Sequence, residues 1–402
     1  MTVEGFQVRC LQSIDELQVH KDEWDACVHR TKGDIYFCGD WVSVWMKHFG
    51  KGHPFRGVCL WEGENLVGVL PIYLEKFGLG PFSVTMARLV GVHSSYPLLS
   101  LPLPAGKKET VLSDAVSRIL SDENCQGISF SPISGHADDI AGLRSAVSSL
   151  PNACFSADTE IGKHTIFLLP DSFEEYFSSL SKSRRREYRK GLSILESKYS
   201  LERRVSDQKT IAAFFDRFAK LHSKQWQAVG KAGHFQDWPG SEGFYRELLE
   251  KMSPSGQCGI EEYCDQDEVL AAQFFFQFGE KTYWRLIART LDPLATKAGV
   301  GRIGMVERIM HLIDQGVEVI ESGAGEYDYK TSYGGTLTPF RRCVIVRDQK
   351  WSKVRVATLL AWADFLDLAY YRIWFLKLAP RLRKLTGAKP RPLWRSWIRT
   401  RL

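Results

Sequence analysis

Several features that would place the protein in a specialised class are missing from its sequence. The nine cysteines are irregularly spaced and include no CxxC pair. This spacing argues against a disulfide framework or a zinc site and favours reduced thiols in a cytosol. The N-terminal residues MTVEGFQVRC show no basic leader followed by an apolar run, so no secretory signal is visible. We therefore expect a cytoplasmic protein.

Acidic residues are absent from the C-terminal end. From Arg372 to Leu402 there are ten Lys/Arg and no Asp/Glu, whereas residues 1–371 carry 43 Lys/Arg against 47 Asp/Glu. The body of the protein is therefore mildly acidic, and its charge offers no reason to expect DNA binding.

The segment 351–402 predicts an amphipathic, basic helical tail. Charged residues interrupt its apolar stretch, so no uncharged window of 18 residues is present there to cross a membrane. Aromatic and basic residues interleave as far as Trp394 and Trp397. This pattern suits the surface of an anionic membrane, such as the inner face of the plasma membrane, reached through residues 352–402. A helix docked on the body with a loose basic end is the alternative.

The order of predicted elements repeats in the two halves of the chain. The first half has helices at 13–29 and 40–49, the hairpin FRGVCLW-EGEN-LVGVLPIYL, a helix at 107–120 and a strand at 127–133. The second half has a helix at 211–227, the hairpin CGIEEYC-DQDE-VLAAQFFFQF and a strand at 282–288. With 402 residues and 44% hydrophobic content, this repetition predicts two globular α/β modules, 1–165 and 166–350, before the tail.

A densely basic helix is predicted at 180–199, between the two modules. Tyr188 and Leu195 recur at helical spacing and predict a buried stripe. Six cations crowd its first turns: Lys182, Arg184, Arg185, Arg186, Arg189 and Lys190. Because they repel one another, the run predicts contact with an anion, with Arg186 and Arg189 as candidate substrate-binding residues. A solvated helix face is the alternative.

A pair of glycines opens an amphipathic helix at 302–315. Gly299, Val300 and Gly301 are flanked by Lys297 and Arg302, and these five are the candidate cofactor-binding residues. Free N–H groups and the helix dipole at such a turn favour a phosphate. Glycines chosen only for a tight turn are the alternative.

The apolar run 317–320 leads into ESGAGEYDYKTSYGG, residues 321–335. This segment combines carboxylates, four glycines, three tyrosines and a lysine. A structural turn needs only one or two glycines. The combination of four glycines with several ionisable residues therefore predicts a loop of an active cleft.

With these residues, the sequence resembles the CelD-like acetyltransferases, which are GNAT-type proteins associated with cellulose and exopolysaccharide biosynthesis. That family is related to the Fem-type peptidoglycan aminoacyl transferases. The resemblance spans roughly residues 10–345. It rests on Glu23-Trp24-Asp25, VGVLPIYL (67–74), Ser95-Tyr96, LSKSRRREYRKGL (180–192), LHSKQW (221–226), AAQFFF (271–276) and above all EVIESGAGEYDYK (318–330).

The resemblance implies tandem GNAT-like modules of α/β class, with mixed central sheets flanked by helices. Strand, glycine turn, helix and strand follow one another in the order by which GNAT enzymes cradle the pyrophosphate of acetyl-CoA, or of another acyl-CoA, without a metal. The sequence departs from ordinary GNAT enzymes at Thr296, where they carry Arg or Gln three residues ahead of the first glycine.

Carried over position by position, the resemblance implies Glu321, Gly325, Glu326, Tyr329 and Lys330 as residues of the active cleft. Glu326 is the first candidate for the general base, and Glu321 the weaker one, unless it only caps the strand end. Tyr329 is a candidate proton donor to the leaving thiolate, or a packing aromatic. Lys330 is a candidate ligand of a phosphate or carbonyl oxygen, or half of a surface ion pair.

Three further residues are candidates for the acceptor side. His222 and Trp226 are four apart on one helix and share a face, so they are candidates for the wall of the acceptor pocket. The imidazole is then a second candidate base, and a core histidine packed on an indole is the alternative. Gln273 lies in a predicted buried strand, where its amide faces the cleft or bonds within the sheet.

The expected activity is N- or O-acyl transfer, most simply of acetyl, by direct attack of the acceptor on a CoA thioester. The acceptor implied by the resemblance is a saccharide or another small molecule, such as a cell-envelope or exopolysaccharide precursor. Two rivals remain open: a Fem-type transferase that uses aminoacyl-tRNA, and a non-catalytic membrane-surface scaffold of a polysaccharide assembly. A tRNA is a partner only under the first of these.

Overall fold

A computed structural model of the chain describes residues 6–78, 83–92, 96–121, 125–136, 138–231, 233–238, 240–379 and 381–382. The described residues fold into two compact units, of which the first comprises 6–162 and 338–382 and the second 163–337. Ser95 of the resemblance and the tail from 383 onward, with Trp394 and Trp397, lie outside the described residues. The module boundaries inferred from the sequence stay predictions.

Strands and helices alternate along both units. The strands are β1 Phe6–Leu11, β2 Phe55–Glu62, β3 Asn65–Phe77, β4 Val84–Leu89, β5 Gly127–Ser129, β6 Ile133–Ser134, β7 Ala153–Leu168, β8 Leu201–Val205, β9 Cys258–Asp265, β10 Glu268–Phe278, β11 Lys281–Arg289, β12 Val319–Ala324 and β13 Thr336–Arg347. The α-helices are α1 Ile14–Val19, α2 Lys21–Arg30, α3 Gly39–His48, α4 Lys108–Ser121, α5 Asp139–Ser149, α6 Phe173–Ser179, α7 Lys182–Lys198, α8 Ile211–Ala228, α9 His234–Asp237, α10 Ser241–Met252, α11 Pro293–Ala298, α12 Val300–Asp314, α13 Asp328–Thr331 and α14 Lys350–Leu366.

In the first unit the strand order is β1-β2-β3-β4-β5-β13-β7, with β6 beside β13. The β2–β3 hairpin is antiparallel and β4–β5 is a parallel pair, joined by the crossover helix α4. Two predicted elements are interrupted here. The helix expected at 13–29 is divided at His20 into α1 and α2. The strand expected at 127–133 is divided into β5 and β6 around Pro132, which has no N–H to donate to a ladder.

In the second unit the order is β7-β12-β11-β10-β9-β8. The β9–β10 hairpin is antiparallel, and β11–β12 is again a parallel pair, joined through α11 and α12. Each unit thus repeats a hairpin followed by strand, helix and parallel strand, in a mixed sheet flanked by helices. The predicted α/β class is confirmed. A strand from a distant part of the sequence stands beside the last strand of each repeat: β13 beside β5, and β7 beside β12.

The helix α12 is the centre of the second unit's core. Ile303, Val306 and Ile309 are buried in a cluster that also contains Tyr188 and Leu195 of α7, as the apolar spacing of that helix predicts. Ser181 caps α7 by accepting a hydrogen bond from the N–H of Arg184. The missing side chain of Gly191 lets α7 approach α11, because a Cβ there would collide with the carbonyl of Ala298.

The C-terminal helix α14 belongs to the first unit. Val356, Leu360 and Ala363 pack in a cluster with residues of β4 and β13. The other side of α14 exposes Trp351 and Trp362, and beyond it the chain continues as a π-helical stretch over Asp367–Leu378. Among the described helices, none combines the length and the hydrophobicity that spanning a bilayer requires.

Candidate functional site

A cavity of about 280 Å³ lies in the second unit, where β10 and β11 meet the N-terminal turn of α12. Its walls include Gln273, Ala288, Arg289, Gly299, Gly301 and Tyr329. Small side chains of the two strands, Ala271, Ala272 and Ala288, leave room for it. The predicted glycine turn and one residue of the predicted active loop, Tyr329, therefore line the same cavity.

The divergence of two strands opens the sheet beside this cavity. β11 pairs with β12 only at Lys281–Val319, Thr282–Ile320 and Tyr283–Glu321. Beyond Tyr283 the two parallel strands separate, so the later residues of β11 have no strand neighbour on that side. Ile287, Ala288 and Arg289 of this unpaired stretch line the cavity.

The glycine turn forms a helix N-terminus at the cavity wall. Gly299 has φ +84°, and its N–H donates to the carbonyl of Ala295 at 3.1 Å, which ends α11 before α12 begins at Val300. The N–H groups of the first turn of α12 have no earlier carbonyl within their own helix. Because the positive end of the helix dipole lies there too, the turn is suited to a phosphate.

Guanidinium groups add positive charge to the same wall. Nη1 of Arg289 donates to Oγ1 of Thr296 at 2.9 Å, and both residues line the cavity. Arg302 also lines it, with Nη2 2.8 Å from Oε1 of Glu187 on α7. Lys297 is exposed on α11 and is not among the lining residues. Arg289 was not among the residues predicted from the sequence, and the one feature that could have indicated it is its position at the end of the strand that precedes the glycine turn.

Tyr329 stands on the short helix α13 and lines the cavity. Its ring packs against the core cluster of the unit and lies 5.8 Å from that of Tyr327. Burial raises the pKa of the Tyr329 phenol above its ordinary value of 10. The group is therefore protonated at neutral pH and can act as a proton donor.

Glu326 lies on the surface of the second unit. Its side chain is 63% exposed, and Oε1 is 3.4 Å from Nζ of Lys163. Gly325 next to it has φ +118° and donates its N–H to the carbonyl of Lys163 at 2.9 Å. Neither residue is among those that line the cavity. The loop thus separates Glu326, in contact with water, from Tyr329, against the cavity.

Glu321 has the opposite environment. It is fully buried, and its Oε1 accepts the N–H of Gly323 at 2.8 Å and lies 3.3 Å from Nδ1 of His164. Nη1 of Arg285 is 3.7 Å from Oε2. The sequence did not indicate that His164 and Arg285, remote along the chain, would surround this carboxylate.

Lys330 is buried beside the same strand. Its Nζ donates to the carbonyl of Ser322, which ties α13 to β12. Burial lowers the pKa of Lys330 to about 8, although the nearby carboxylate of Glu321 opposes this effect. In this structure Lys330 holds the loop that carries Tyr329.

The candidate acceptor residues are dispersed. Nδ1 of His222 is 3.0 Å from the carbonyl oxygen of Ile287, and burial lowers the pKa of His222 to about 4. The ring of Trp226 lies 6.0 Å from that of His222. Gln273 does line the cavity, with Nε2 donating to the carbonyl of Gly304. Arg186 and Arg189 are exposed on α7, where Arg189 lies over the ring of Phe177.

Comparison with known proteins identifies the segment that holds the cavity. Residues 182–331 match the family described as acetyltransferase (GNAT) domain, and all the lining residues, from Gln225 to Tyr329, fall within them. This family match confirms the prediction of a GNAT-type acyltransferase, and a GNAT fold implies the use of an acyl-CoA. None of the curated proteins compared with the sequence matches it.

Two solved structures resemble most of this chain in fold. The crystal structure of FemX has a TM-score of 0.58 at 12% sequence identity, covering 83% of this chain and 96% of FemX. A conserved protein of unknown function from Bacteroides thetaiotaomicron VPI-5482 has a TM-score of 0.50 at 11% identity, covering 85% of this chain and 100% of that one. At such identities the likeness concerns the fold alone.

Proposed function

We propose that the protein transfers an acyl group, in the simplest case acetyl, from coenzyme A to an amine or hydroxyl of a saccharide-type acceptor. One observation carries the proposal: a single cavity in the GNAT domain is lined both by the N-terminal turn of α12 and by Tyr329. The turn supplies phosphate-binding N–H groups, and the phenol supplies a proton for a leaving thiolate.

The donor's pyrophosphate binds at the Gly299–Gly301 turn. Val300 and Gly301 contribute main-chain N–H groups, while Arg289 and Arg302 contribute charge from the same wall. Lys297, exposed one turn earlier, adds to the positive field at the cavity mouth. The small residues of β10 and β11 leave space for the donor's uncharged arm beside the open edge of β11.

The transfer follows from direct attack on the thioester. The acceptor's nitrogen or oxygen forms a bond to the carbonyl carbon, and main-chain N–H groups of β11 hold the oxyanion. When the carbon–sulfur bond breaks, the thiolate takes the proton of Tyr329. The proton lost by the acceptor passes to Glu326 through water, and Tyr329 recovers its proton from solvent. Glu321 and Lys330 do not contact the reactants and act by holding β12 and α13 in place.

The acceptor is an anionic saccharide or cell-envelope precursor. Gln273 reaches it from the cavity wall, and Trp226 and Gly325 contribute the surrounding surface. The exposed cations Arg186 and Arg189 of α7 offer charge to an anionic group on the acceptor. The resemblance to the CelD-like proteins supports a role in exopolysaccharide biosynthesis.

The protein works at the inner surface of an anionic membrane. The exposed aromatic side chains of α14 and the following stretch, Trp351, Trp362, Phe365 and Trp374, supply an apolar face. The cations that follow in the sequence supply the charge for acidic lipids. A surface-bound enzyme is thereby kept close to lipid-linked precursors.

A second candidate is a Fem-type aminoacyl transferase. The fold likeness to FemX and the exposed cations of α7 favour it. In this case the cavity accepts the end of an aminoacyl-tRNA, and α7 contacts the phosphate backbone. A non-catalytic scaffold would have no need for Glu326, whose replacement by Gln would leave its role intact.

Calorimetric titration with acetyl-CoA and with CoA tests the donor. The wild-type protein should bind both, and Gly301→Asp should weaken binding about tenfold or more by placing a negative charge at the phosphate site. The backbone tolerates this change, because a Cβ at Gly301 makes ordinary van der Waals contacts, with Cδ of Arg289 at 3.5 Å and Cβ of Arg289 at 4.0 Å.

The matched control places the same charge in the β10–β11 turn. Gly279 has φ +56°, so Gly279→Asp should cost some stability, but its side chain faces open space and the folded variant should bind CoA as the wild type does. Absence of CoA binding by the folded wild type would overturn the acyl-CoA proposal and favour the aminoacyl-tRNA or scaffold alternative.

A further inference from the structure

Two side chains of α8 take the place of a strand along the open edge of β11. Nδ1 of His222 lies 3.0 Å from the carbonyl oxygen of Ile287. Oε1 of Gln225 accepts the main-chain N–H of Arg289 at 3.0 Å. Both contacts fall on the stretch of β11 that has already separated from β12.

The spacing of the two elements makes these contacts a matched pair. His222 and Gln225 are three apart on α8, so they lie on the same face of the helix. Ile287 and Arg289 are two apart on β11 and so direct their backbone groups to the same side of the strand. The N–H of Thr290 bonds to Leu270 on the β10 side, which places the groups of Arg289 on the open side.

The ionisation of His222 suits a structural donor. A carbonyl oxygen can only accept, so Nδ1 carries the proton in this contact. Burial lowers the pKa of the ring to about 4, which keeps it neutral at physiological pH. Nε2 is buried without a hydrogen-bond partner in the described part of the chain. The ring does not line the cavity, in contrast to Gln225.

We propose that His222 and Gln225 are positioning residues, which hold the unpaired edge of β11 so that its main-chain N–H at Ile287 faces the donor's carbonyl. Without them, the separated edge would be free to close on β12 or to bind water in other orientations. The inference rests on the proposed acyl transfer, because the oxyanion that the edge of β11 stabilises is formed in that reaction. His222 then acts through Ile287 and does not accept the proton of the acceptor.

Amide hydrogen exchange resolved at single residues tests the contacts without turnover. In the ligand-free protein, Gln225→Met should speed the exchange of the Arg289 amide about tenfold or more, because its acceptor is lost. Unchanged exchange at Arg289 would overturn the proposal, whether or not the protein binds CoA.

Acetyl-CoA and CoA then serve as a pair of probes that differ in the thioester carbonyl. Acetyl-CoA, and not CoA, should slow the exchange of the Ile287 amide in the wild type. His222→Leu should abolish this difference while keeping the affinity for CoA within about twofold. His222→Asn, whose amide nitrogen replaces Nδ1 as the donor, should restore the difference.

The outcomes separate this inference from the proposed function. If neither CoA nor acetyl-CoA binds the wild type, the proposed function fails. If both bind but the Ile287 amide responds equally to the two, the donor site stands and the positioning role is wrong. Should His222→Leu fail to fold, Gln225→Met, at a half-buried position, decides the result by the same comparison.

Discussion

The carboxylate of Glu321 lies 3.3 Å from Nδ1 of His164, and neither side chain is exposed to solvent. The guanidinium of Arg285, also fully buried, is 3.7 Å from the other carboxylate oxygen. In contrast, Glu326, five residues further along the chain, is mostly exposed and contacts Lys163. Two carboxylates that look alike in the sequence therefore have different physical roles.

Replacing Glu321 should destabilise the protein strongly. Glu321→Gln removes a fully buried carboxylate charge that lies 3.7 Å from Nη1 of Arg285, and we expect the free energy of unfolding to fall by about 3 kcal/mol. Glu326→Gln, the matched control, breaks only an exposed pair and should cost less than about 1 kcal/mol. Urea denaturation followed by fluorescence measures both. Equal stability of the two variants would contradict this account of Glu321.

Removing the Tyr329 hydroxyl should slow catalysis without weakening donor binding. Tyr329→Phe keeps the ring that packs against the core and deletes the proton for the thiolate. We expect the rate of CoA release from acetyl-CoA to fall about 100-fold, with the calorimetric Kd for CoA unchanged. Tyr327→Phe, on the exposed neighbouring ring, should leave the rate intact. A normal rate in Tyr329→Phe would remove Tyr329 from the mechanism.

The two glycines of the turn should respond differently to a methyl group. At Gly299, φ is +84° and a Cβ would lie 2.7 Å from Nη2 of Arg302. We expect Gly299→Ala to cost about 1–2 kcal/mol of stability and to weaken CoA binding by displacing Arg302. Gly301→Ala, on an ordinary helical backbone and with its Cβ in van der Waals contact with Arg289, should instead raise stability by about 0.4–1 kcal/mol. It keeps the main-chain N–H, so CoA binding should stay close to that of the wild type. Thermal unfolding and calorimetry of the two variants provide the comparison.

His222 should make stability depend on pH in the acidic range. The pKa of the ring is about 4 in the folded protein and about 6.5 when unfolded. The unfolded chain therefore binds the proton first, and stability is lost as the pH falls from about 6.5 to 4. The loss from this residue is at most about 3 kcal/mol. His222→Asn cannot titrate, so its stability curve should be flatter over that interval than the wild-type curve, as measured by urea denaturation at each pH.

The apolar face of α14 should govern membrane association. Trp362 and Phe365 are both more than half exposed, and their rings stack 5.4 Å apart. We expect the protein to sediment with vesicles containing acidic phospholipids and to be released by high salt. The double variant Trp362→Ser, Phe365→Ser should reduce the bound fraction several-fold. If the wild-type protein does not sediment with such vesicles, the membrane proposal is wrong.

Local chemistry in the sequence determined much of the second unit. Alternating apolar residues around the acidic turns predict the β9–β10 hairpin, and the glycine pair ahead of an apolar helical stripe predicts the N-terminus of α12. These signals are visible because turn residues and side-chain periodicity act over a few neighbouring positions. The same reasoning made the glycine turn a candidate site, whereas Tyr329 was a candidate through the resemblance to the CelD-like proteins.

Only the tertiary structure decided which residues meet across long sequence distances. The pairing of β13 with β5 and of β7 with β12, the burial of Glu321 beside His164, and the contact of Gln225 with Arg289 all join segments far apart in the chain. Burial and strand pairing depend on partners that a local pattern does not contain, so no local pattern could predict that Glu321 is buried and Glu326 exposed. The sequence by itself determined the local elements and the GNAT resemblance, and the packing of distant strands and helices decided which side chains face the cavity.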